Sequence, residues 1–299
     1  MSEVYRNAKG QTEEEFLAAY KPGDYERPSN TVDMLLFTIG SKASKDIRTD
    51  ATKHLKVLLI KRKDHPFIHQ WALPGGFVGI DEDIETAAKR ELLEETGLSN
   101  VYMEQLYTFG DVDRDPRMRV VSVAHMALVS PDNLKPIAGD DAEEVAWFTV
   151  EKKKAENGEE TISLFSEELG LRAVYKVFTA YDKNGVVIVP RVFISLDREK
   201  SNTEIAFDHI KEINTGIDRL RNKIEYTPIA FNLVPEKFTL SEIQQVYEVI
   251  LGRSLTKQNF RVWISKFVEA TREARIGVGH RPATLYRYIA KSASTFDEM

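Results

Sequence analysis

The sequence predicts an α+β protein in two parts, a mixed α/β domain followed by a small winged helix-turn-helix, and three observations carry that expectation. The chain has 299 residues, beyond the size at which a single hydrophobic core usually stops growing. Residues 31–225 hold β-patterned runs interrupted by two segments of helical spacing, whereas the remainder turns to short capped helices and a hairpin. The charge is unevenly divided: the chain carries −6 overall, yet Arg253 to Lys291 holds nine Lys or Arg against only Glu269 and Glu273, a local +7. Such a segment suits a polyanion; docking on the acidic part of its own chain or of a dimer mate is the alternative.

Composition narrows the class. Hydrophobic residues make up 42% of the chain and charged residues 29%, as in ordinary globular domains with a real core. Cysteine is absent, which excludes disulfides and thiolate chemistry. The N-terminal MSEVYRNAKGQTEEEF has no apolar stretch of secretory length, and no run approaches a membrane span. A cytoplasmic protein with no membrane partner is expected.

Residues 1–30 read as a polar extension punctuated by Pro22 and Pro28. Thr31 to Ile39 alternates and branches like a strand, and Leu55 to Lys61 is its expected hairpin partner across a polar loop. HPFIHQWALPGG then ends in a Pro-Gly-Gly turn, where Gly75 and Gly76, lacking Cβ, allow close backbone approach to an ion.

The most informative stretch follows, Gly76 to Leu98, GFVGIDEDIETAAKRELLEETGL. A helix beginning near Asp83 places Ile84, Ala87 and Ala88 on one side, and two turns later Glu91, Glu94 and Glu95 within roughly a third of a turn of one another. Gly97 stands where a helix favours a left-handed terminus. Glu-rich helices are usually solvated. Three like charges on a packing face, however, repel and lose hydration, so they persist there only beside cations, for which hard divalent ions are the natural choice.

Val101 to Asp111 and Arg119 to Val129 read as further strands around the turn DRDPR. Arg114 and Arg117 in that turn have fork geometry suited to a diphosphate; two exposed arginines without a ligand are the equal alternative. Ala138 to Phe148 reads as an acidic loop entering a short strand, with Asp140, Asp141, Glu143 and Glu144 all open as candidates to complete the site. Two β-rich runs flank the hairpin signal Asp182 to Gly185. Ile205, Ile210, Ile213, Ile217, Leu220 and Ile224 then recur at helical spacing over Glu204 to Ile224. Asp208 and His209 in that helix read as core-flanking cap or salt-bridge residues and take no role.

Thr239 with Glu242 is a capping-box signature opening a helix that Gly252 ends. A second helix from Thr256 buries Phe260, Trp263, Ile264 and Phe267 and leaves Lys257, Gln258 and Arg261 on other faces. A two-stranded ribbon follows around Gly277 to Gly279, bearing Arg272, Arg275, His280, Arg281 and Arg287. This is a winged helix-turn-helix, with Lys257, Gln258, Arg261, Arg275 and Arg281 as the candidate contacts to double-stranded DNA. A basic module that only dimerises the chain is the alternative.

Gly76 to Leu98 matches, at every fixed position, the pattern G-x5-E-x7-R-E-U-x-E-E-x-G-U, where U is a bulky aliphatic, and so resembles the Nudix family. With FNLVPEKFTLSEIQQVYEVILG, KQNFRVWISK and GHRPATLYRY behind it, the chain is similar to the Nudix-related transcriptional regulators. The resemblance implies an α/β/α sandwich with a mixed sheet, a Nudix domain over 31–225, and a winged helix over 226–299. It also implies Mg2+ or Mn2+ held by Glu94, Glu95, the Gly75 carbonyl and Glu91, the last alternatively acting as base. Arg90 and Glu82 would orient the ligands and the loop. The implied ligand is a nucleoside diphosphate derivative of the ADP-ribose kind, contacted by Arg114, Arg117 and an acid such as Glu144. Two readings follow: a hydrolase fused to a DNA-binding module, or a homodimeric sensor that binds its nucleotide with little turnover.

Overall fold

A computed structural model describes residues 5–24, 26–42, 52–133, 142–181, 190–275 and 282–289. Its centre is one mixed sheet. The strands are β1 (Ser29–Lys42), β2 (Thr52–Arg62), β3 (Trp71–Ala72), β4 (Gly75–Phe77), β5 (Tyr102–Phe109), β6 (Val120–Leu128), β7 (Ala142–Lys154), β8 (Glu160–Ser166), β9 (Leu171–Tyr181) and β10 (Pro190–Leu196). Their order is β10-β9-β8-β7-β2-β1-β6-β5, with β3 on β2 and β4 on β1. Among the described strands, the β1 and β6 pair is parallel and the other pairs are antiparallel.

Two helices cover opposite faces, and β1 shows why. Its residues alternate without interruption, as the two-residue period of a strand buried on both sides requires. Val32, Met34 and Leu36 join Ala87, Ala88 and Leu92 of α2 (Ile84–Thr96) in one apolar cluster. Leu35, Phe37 and Ile39 join Ile213, Ile217 and Leu220 of α3 (His209–Lys223) in the other. The expected α/β/α sandwich is the observed architecture. Asp83 caps α2, accepting from Thr86 N at 2.8 Å, and Gly97 ends it at φ 68°. α3 lies so close to β1 that a Cβ on Gly216 would stand 2.0 Å from Leu35 Cδ2.

Several elements differ from expectation. The helical spacing from Glu204 begins its helix only at His209, because Ile205 bridges to Trp71 instead. Three strands, not two, fill 160–200; β9 and β10 pair as expected, while the turn Asp182 to Gly185 lies outside the described residues. β7 starts at Ala142, so Glu143 and Glu144 are strand residues rather than loop residues. The N-terminal extension contains a helix, α1 (Glu13–Ala19), with a full capping box between Thr12 and Glu15.

The C-terminal part contains α4 (Leu240–Leu251), α5 (Lys257–Ile264) and the ribbon β11 (Val268–Arg275) with β12 (Ala283–Tyr288). Thr239 and Glu242 form both bonds of the capping box, and Gly252 ends α4 at φ 67°. Its apolar core is continuous with the α3 side of the sheet: Ile243, Val246 and Ile250 share one cluster with Leu220 and Ile224. Arg221 near the end of α3 donates to Ile250 O at 3.0 Å and to Lys152 O at 2.7 Å, fastening the two parts. Among the described residues, no helix is long and apolar enough to cross a membrane.

Gly216→Ala is expected to lower stability by about 1–3 kcal/mol through overpacking against β1, read as a shift in urea midpoint at unchanged slope.

Candidate functional site

β4 lies antiparallel to β1, Asp33 opposite Gly75 and Val32 opposite Gly76. Glycine is required here. A Cβ on Gly75 would stand 2.2 Å from Val32 O, and one on Gly76 2.3 Å from Glu91 Oε1, so the strand and the α2 carboxylate can close only on bare backbone. Over this junction opens a cavity of 370 Å³ whose walls include Arg62, Lys63, Gly75, Phe77, Glu95 and Arg117, with Asp33, Arg114 and His209 behind.

Arg90 organises the helix side. Its guanidinium donates to Glu82 at 2.7 and 3.1 Å, to Glu91 at 2.7 Å, to Glu94 at 3.0 Å and to Phe77 O at 3.1 Å. Glu82 also accepts from Gly79 N at 2.7 Å, closing the loop ahead of α2, and its hydrogen bond from Arg90 holds its carboxyl below the ordinary range. Burial pushes the Glu91 carboxyl up despite Arg90 beside it. The three glutamates do not share one face as expected. Glu91 and Glu95 are buried, whereas Glu94 is exposed and turned toward Arg90. Residues four apart stay in line on a helix, and the third sits off that line, outside the arc covered by β4.

Arg114 is not in an exposed turn. It is buried, donating to Asp33 Oδ2 at 3.1 Å, to Asp208 at 2.9 and 3.3 Å, and to Glu212 Oε1 at 2.8 Å. Its Nε and Nη2 are engaged by carboxylates, which commits it to the interior rather than presenting a free fork to a diphosphate. Arg117 does face the cavity, over the Phe77 ring at 5.3 Å, with Asp115 holding it at 2.8 and 3.0 Å. Glu144 lies half-buried on β7 opposite Lys61 and does not line the cavity. Its neighbour Glu143 pairs with Lys61 and His69, and Asp140 and Asp141 fall outside the described residues.

Asp33, Asp208, His209 and Glu212 are the residues that sequence reasoning left without a role. Their signal was visible: Asp33 interrupts the apolar run TVDMLLFTI, and Glu212 stands within the apolar stripe of α3. Asp33, His209 and Glu212 bring ligand atoms within 4.8 Å of one another, the spacing of a metal group. The imidazole rules that out. Leu73 N donates to His209 Nδ1 at 2.9 Å, so the neutral ring carries its hydrogen on Nε2 and offers no lone pair toward Asp33 Oδ1, 3.7 Å away. Burial lowers the His209 pKa, keeping the ring neutral.

The group instead favours a proton on Glu212. Burial, then the charge of Asp33, raises the Glu212 pKa well above the carboxylate range, and its buried Oε2 finds no acceptor role within hydrogen-bond reach. A protonated Glu212 turns that oxygen into a donor facing Asp33. Burial alone would raise Asp33 as well, but the charge of Arg114 and a hydrogen bond from Ser122 Oγ at 2.5 Å hold it low.

On the DNA side, Lys257, Gln258 and Arg261 are exposed on α5. Arg275 is exposed but ion-paired with Glu242, and Arg287 with Glu269. Arg281 lies outside the described residues.

Comparison with known proteins agrees with this two-part geometry. The NUDIX domain model matches residues 47–169, and the NrtR DNA-binding winged helix domain model matches residues 230–288. The ADPR responsive transcriptional repressor NtrR of Acinetobacter baylyi is 32% identical over 281 residues, 93% of this chain and 88% of that one. The chain belongs to the NrtR family. The crystal structure of Shewanella oneidensis NrtR complexed with a 27mer DNA superposes at a TM-score of 0.58 with 28% identity, covering 88% of this chain and 95% of that one. An ADP-ribose pyrophosphatase of Methanocaldococcus jannaschii is 47% identical over 96 residues, 32% of this chain and 56% of that one. This NrtR-family chain carries an unbroken Nudix pattern at Gly76 to Leu98.

Arg114→Met should cost about 3–5 kcal/mol, since it strands buried carboxylates, and chemical denaturation measures the loss. Glu212 contributes in the opposite pH sense from Asp33. Its raised folded pKa gives stability that is complete below the unfolded value of about 4.3 and fades as pH rises toward the folded one. Glu212→Gln should therefore flatten the decline of melting temperature above that pH while leaving the acid limb, set by Asp33, in place.

Proposed function

We propose that this chain is a nucleotide-responsive DNA-binding regulator. An N-terminal extension over 1–30 precedes a Nudix domain over 31–225, which takes a nucleoside diphosphate derivative of the ADP-ribose kind. The winged helix over 226–299 binds double-stranded DNA. The observation that carries the reading is α3, a single helix whose first turn holds the wall of the cavity through Asp208, His209 and Glu212 and whose last turns hold α4 through Arg221. A change of state at the cavity thereby has a rigid path to the DNA-binding part. The names of relatives support the ligand: one responds to ADP-ribose and another is its pyrophosphatase. Lys257, Gln258 and Arg261 meet the duplex together with Arg275, and Arg281, outside the described residues, is a further candidate contact. The regulator acts as a homodimer, as helix-turn-helix proteins reading paired half-sites do.

A second activity is favoured by the intact glutamates. The donor set fits Mg2+ or Mn2+: oxygen ligands only, gathered around a Gly75-Gly76 cradle that a Cβ would fill. Glu91, Glu94, Glu95 and the Gly75 carbonyl would hold the ion, which when bound neutralises phosphoryl oxygens and acidifies water. Arg90 keeps Glu91 and Glu94 apart and aimed. Glu91 alternatively leaves the ion to the others, and its carboxyl, pushed up by burial, is then suited to take the proton of the attacking water. Arg117 over Phe77 takes the place on the diphosphate that Arg114 cannot. Hydrolysis then yields a nucleoside monophosphate and the phosphorylated other half.

Titration of ADP-ribose into the purified chain should give saturable heat, and the ligand should shift binding of a promoter duplex; silence in both assays would sink the sensor reading. Arg261→Ala should weaken duplex binding by about 1 kcal/mol or more and reduce its salt slope. Glu94→Gln should cut any Mg2+-dependent release of AMP by at least about a hundredfold while leaving duplex binding intact, and an unchanged rate would show the metal to be held elsewhere.

A further inference from the structure

α5 carries one outward side chain that the duplex contacts named above leave out. Phe260 and Ile264 are buried, and Phe260 and Trp263 meet the Tyr247 ring edge-on at 5.4 and 5.2 Å, which fixes the inward arc of the helix. At about 3.6 residues per turn, the arc away from them holds Gln258, Arg261 and Val262, with Lys257 at its edge. Val262 is 68% exposed and stands four residues after Gln258, in line with it. Its neighbours one turn either way, Gln258, Asn259, Ser265 and Lys266, are all polar and exposed.

The cations of this face are left open. Elsewhere in the winged part, acids of the same chain match them: Glu273 pairs with Lys237, Glu225 with Arg253, Glu242 with Arg275 and Glu269 with Arg287. Among the described residues, no acid pairs with Lys257 or Arg261. Ser265 donates its hydroxyl to Val262 O at 2.8 Å, which turns that group back onto the helix. Val262 is therefore a single apolar knob ringed by amides and unpaired positive charge. A protein partner is met by apolar residues in a cluster, whereas this ring suits a polyanion that offers one apolar group at a time.

The major groove of a DNA duplex is such a surface. Its base edges present donors and acceptors, and the one apolar group among them is the 5-methyl of thymine. Valine is suited to meet it. Branching at Cβ leaves one strongly preferred rotamer in a helix, so both methyls are in place before contact and little freedom is lost on binding. Four residues of helix rise about 6 Å, under two base steps of about 3.4 Å, so Val262 and Gln258 fall on neighbouring base pairs.

We infer that Val262 is a specificity-determining residue, packing its methyls on the 5-methyl group of one thymine in each half-site, beside the base that Gln258 contacts. The inference rests on the duplex-binding reading and adds the base that this helix selects without a hydrogen bond.

The probe is a duplex selected by the full chain from a randomised pool, its thymines then replaced one at a time by uracil, which removes the methyl alone. Wild-type binding should fall about fourfold at one thymine per half-site, the effect of uncovering one methyl. Val262→Ala, at an exposed position and checked for native circular dichroism, should bind the thymine duplex about as much more weakly and be indifferent to uracil there. Its salt slope should match the wild type, because a methyl contact releases no counterions. Val262→Ile should keep the uracil response. Uracil that costs the wild type nothing at every position, or costs Val262→Ala as much as the wild type, overturns the assignment. So does a Val262→Ala chain that loses self-association by ultracentrifugation while its uracil response stays, which would place the valine between copies. A full chain that selects no duplex even at low salt overturns the duplex-binding reading itself.

Discussion

The buried guanidinium of Arg114 is the constraint on which the rest of the molecule depends. It binds Asp33 of β1 and Asp208 and Glu212 at the start of α3, from a turn that leads into β6. Such a group is not a source of large net stability, because desolvation of the charges offsets most of their attraction. Its effect is on geometry. One planar fork with fixed donor directions sets where α3 begins relative to β1, and with it the back wall of the cavity. Removing any one carboxylate frees the helix start; removing the arginine leaves like charges facing each other without water.

Charge at this centre favours a proton on Glu212, whose pKa burial raises well above the carboxylate range. Three carboxylates and one guanidinium would leave the buried group strongly negative, and the neutral imidazole of His209 adds nothing positive. Protonation of Glu212 lowers that charge and supplies the hydrogen bond its second oxygen lacks. The same residues would attract a divalent ion if the imidazole were turned, but the Leu73 amide fixes the ring in the other sense. A single backbone hydrogen bond thus decides between two chemistries that composition alone cannot separate.

Local signals were legible in the sequence, and paired ones were not. The Thr239 capping box, the helix-ending Gly97 and Gly252, the strand alternation of β1 and the Nudix pattern are all written within about twenty residues, where period and spacing act directly. The Arg114 centre joins residues 81 to 98 positions apart, and no propensity reports such a pairing. Arg114 reads as a surface residue because its turn, DRDPR, is polar throughout; only a partner arriving from α3 buries it. Asp33 and Glu212 were the clues, charges inside apolar runs, which are costly unless a cation waits on the other side. The helical wheel likewise put Glu94 inward with Glu91 and Glu95, because it knows angles but not the width of the strand pair covering the helix.

The split among those glutamates bears on how one domain can serve both sensing and chemistry. Glu91 and Glu95 face the protein, and Glu94 faces outward in the grip of Arg90. A pocket that only held a ligand would need no arginine spending three contacts on carboxylates, since burying like charges beside a diphosphate weakens anion binding. The arrangement makes sense when a cation is shared between glutamates and phosphates, for then the negative wall is what recruits the bridge. On the function proposed above, ligand affinity and any hydrolytic capacity would be two consequences of one ion site. Loss of the glutamates would therefore cost the sensor its ligand as well as the enzyme its reaction, which is a physical reason for a regulator to retain the full pattern.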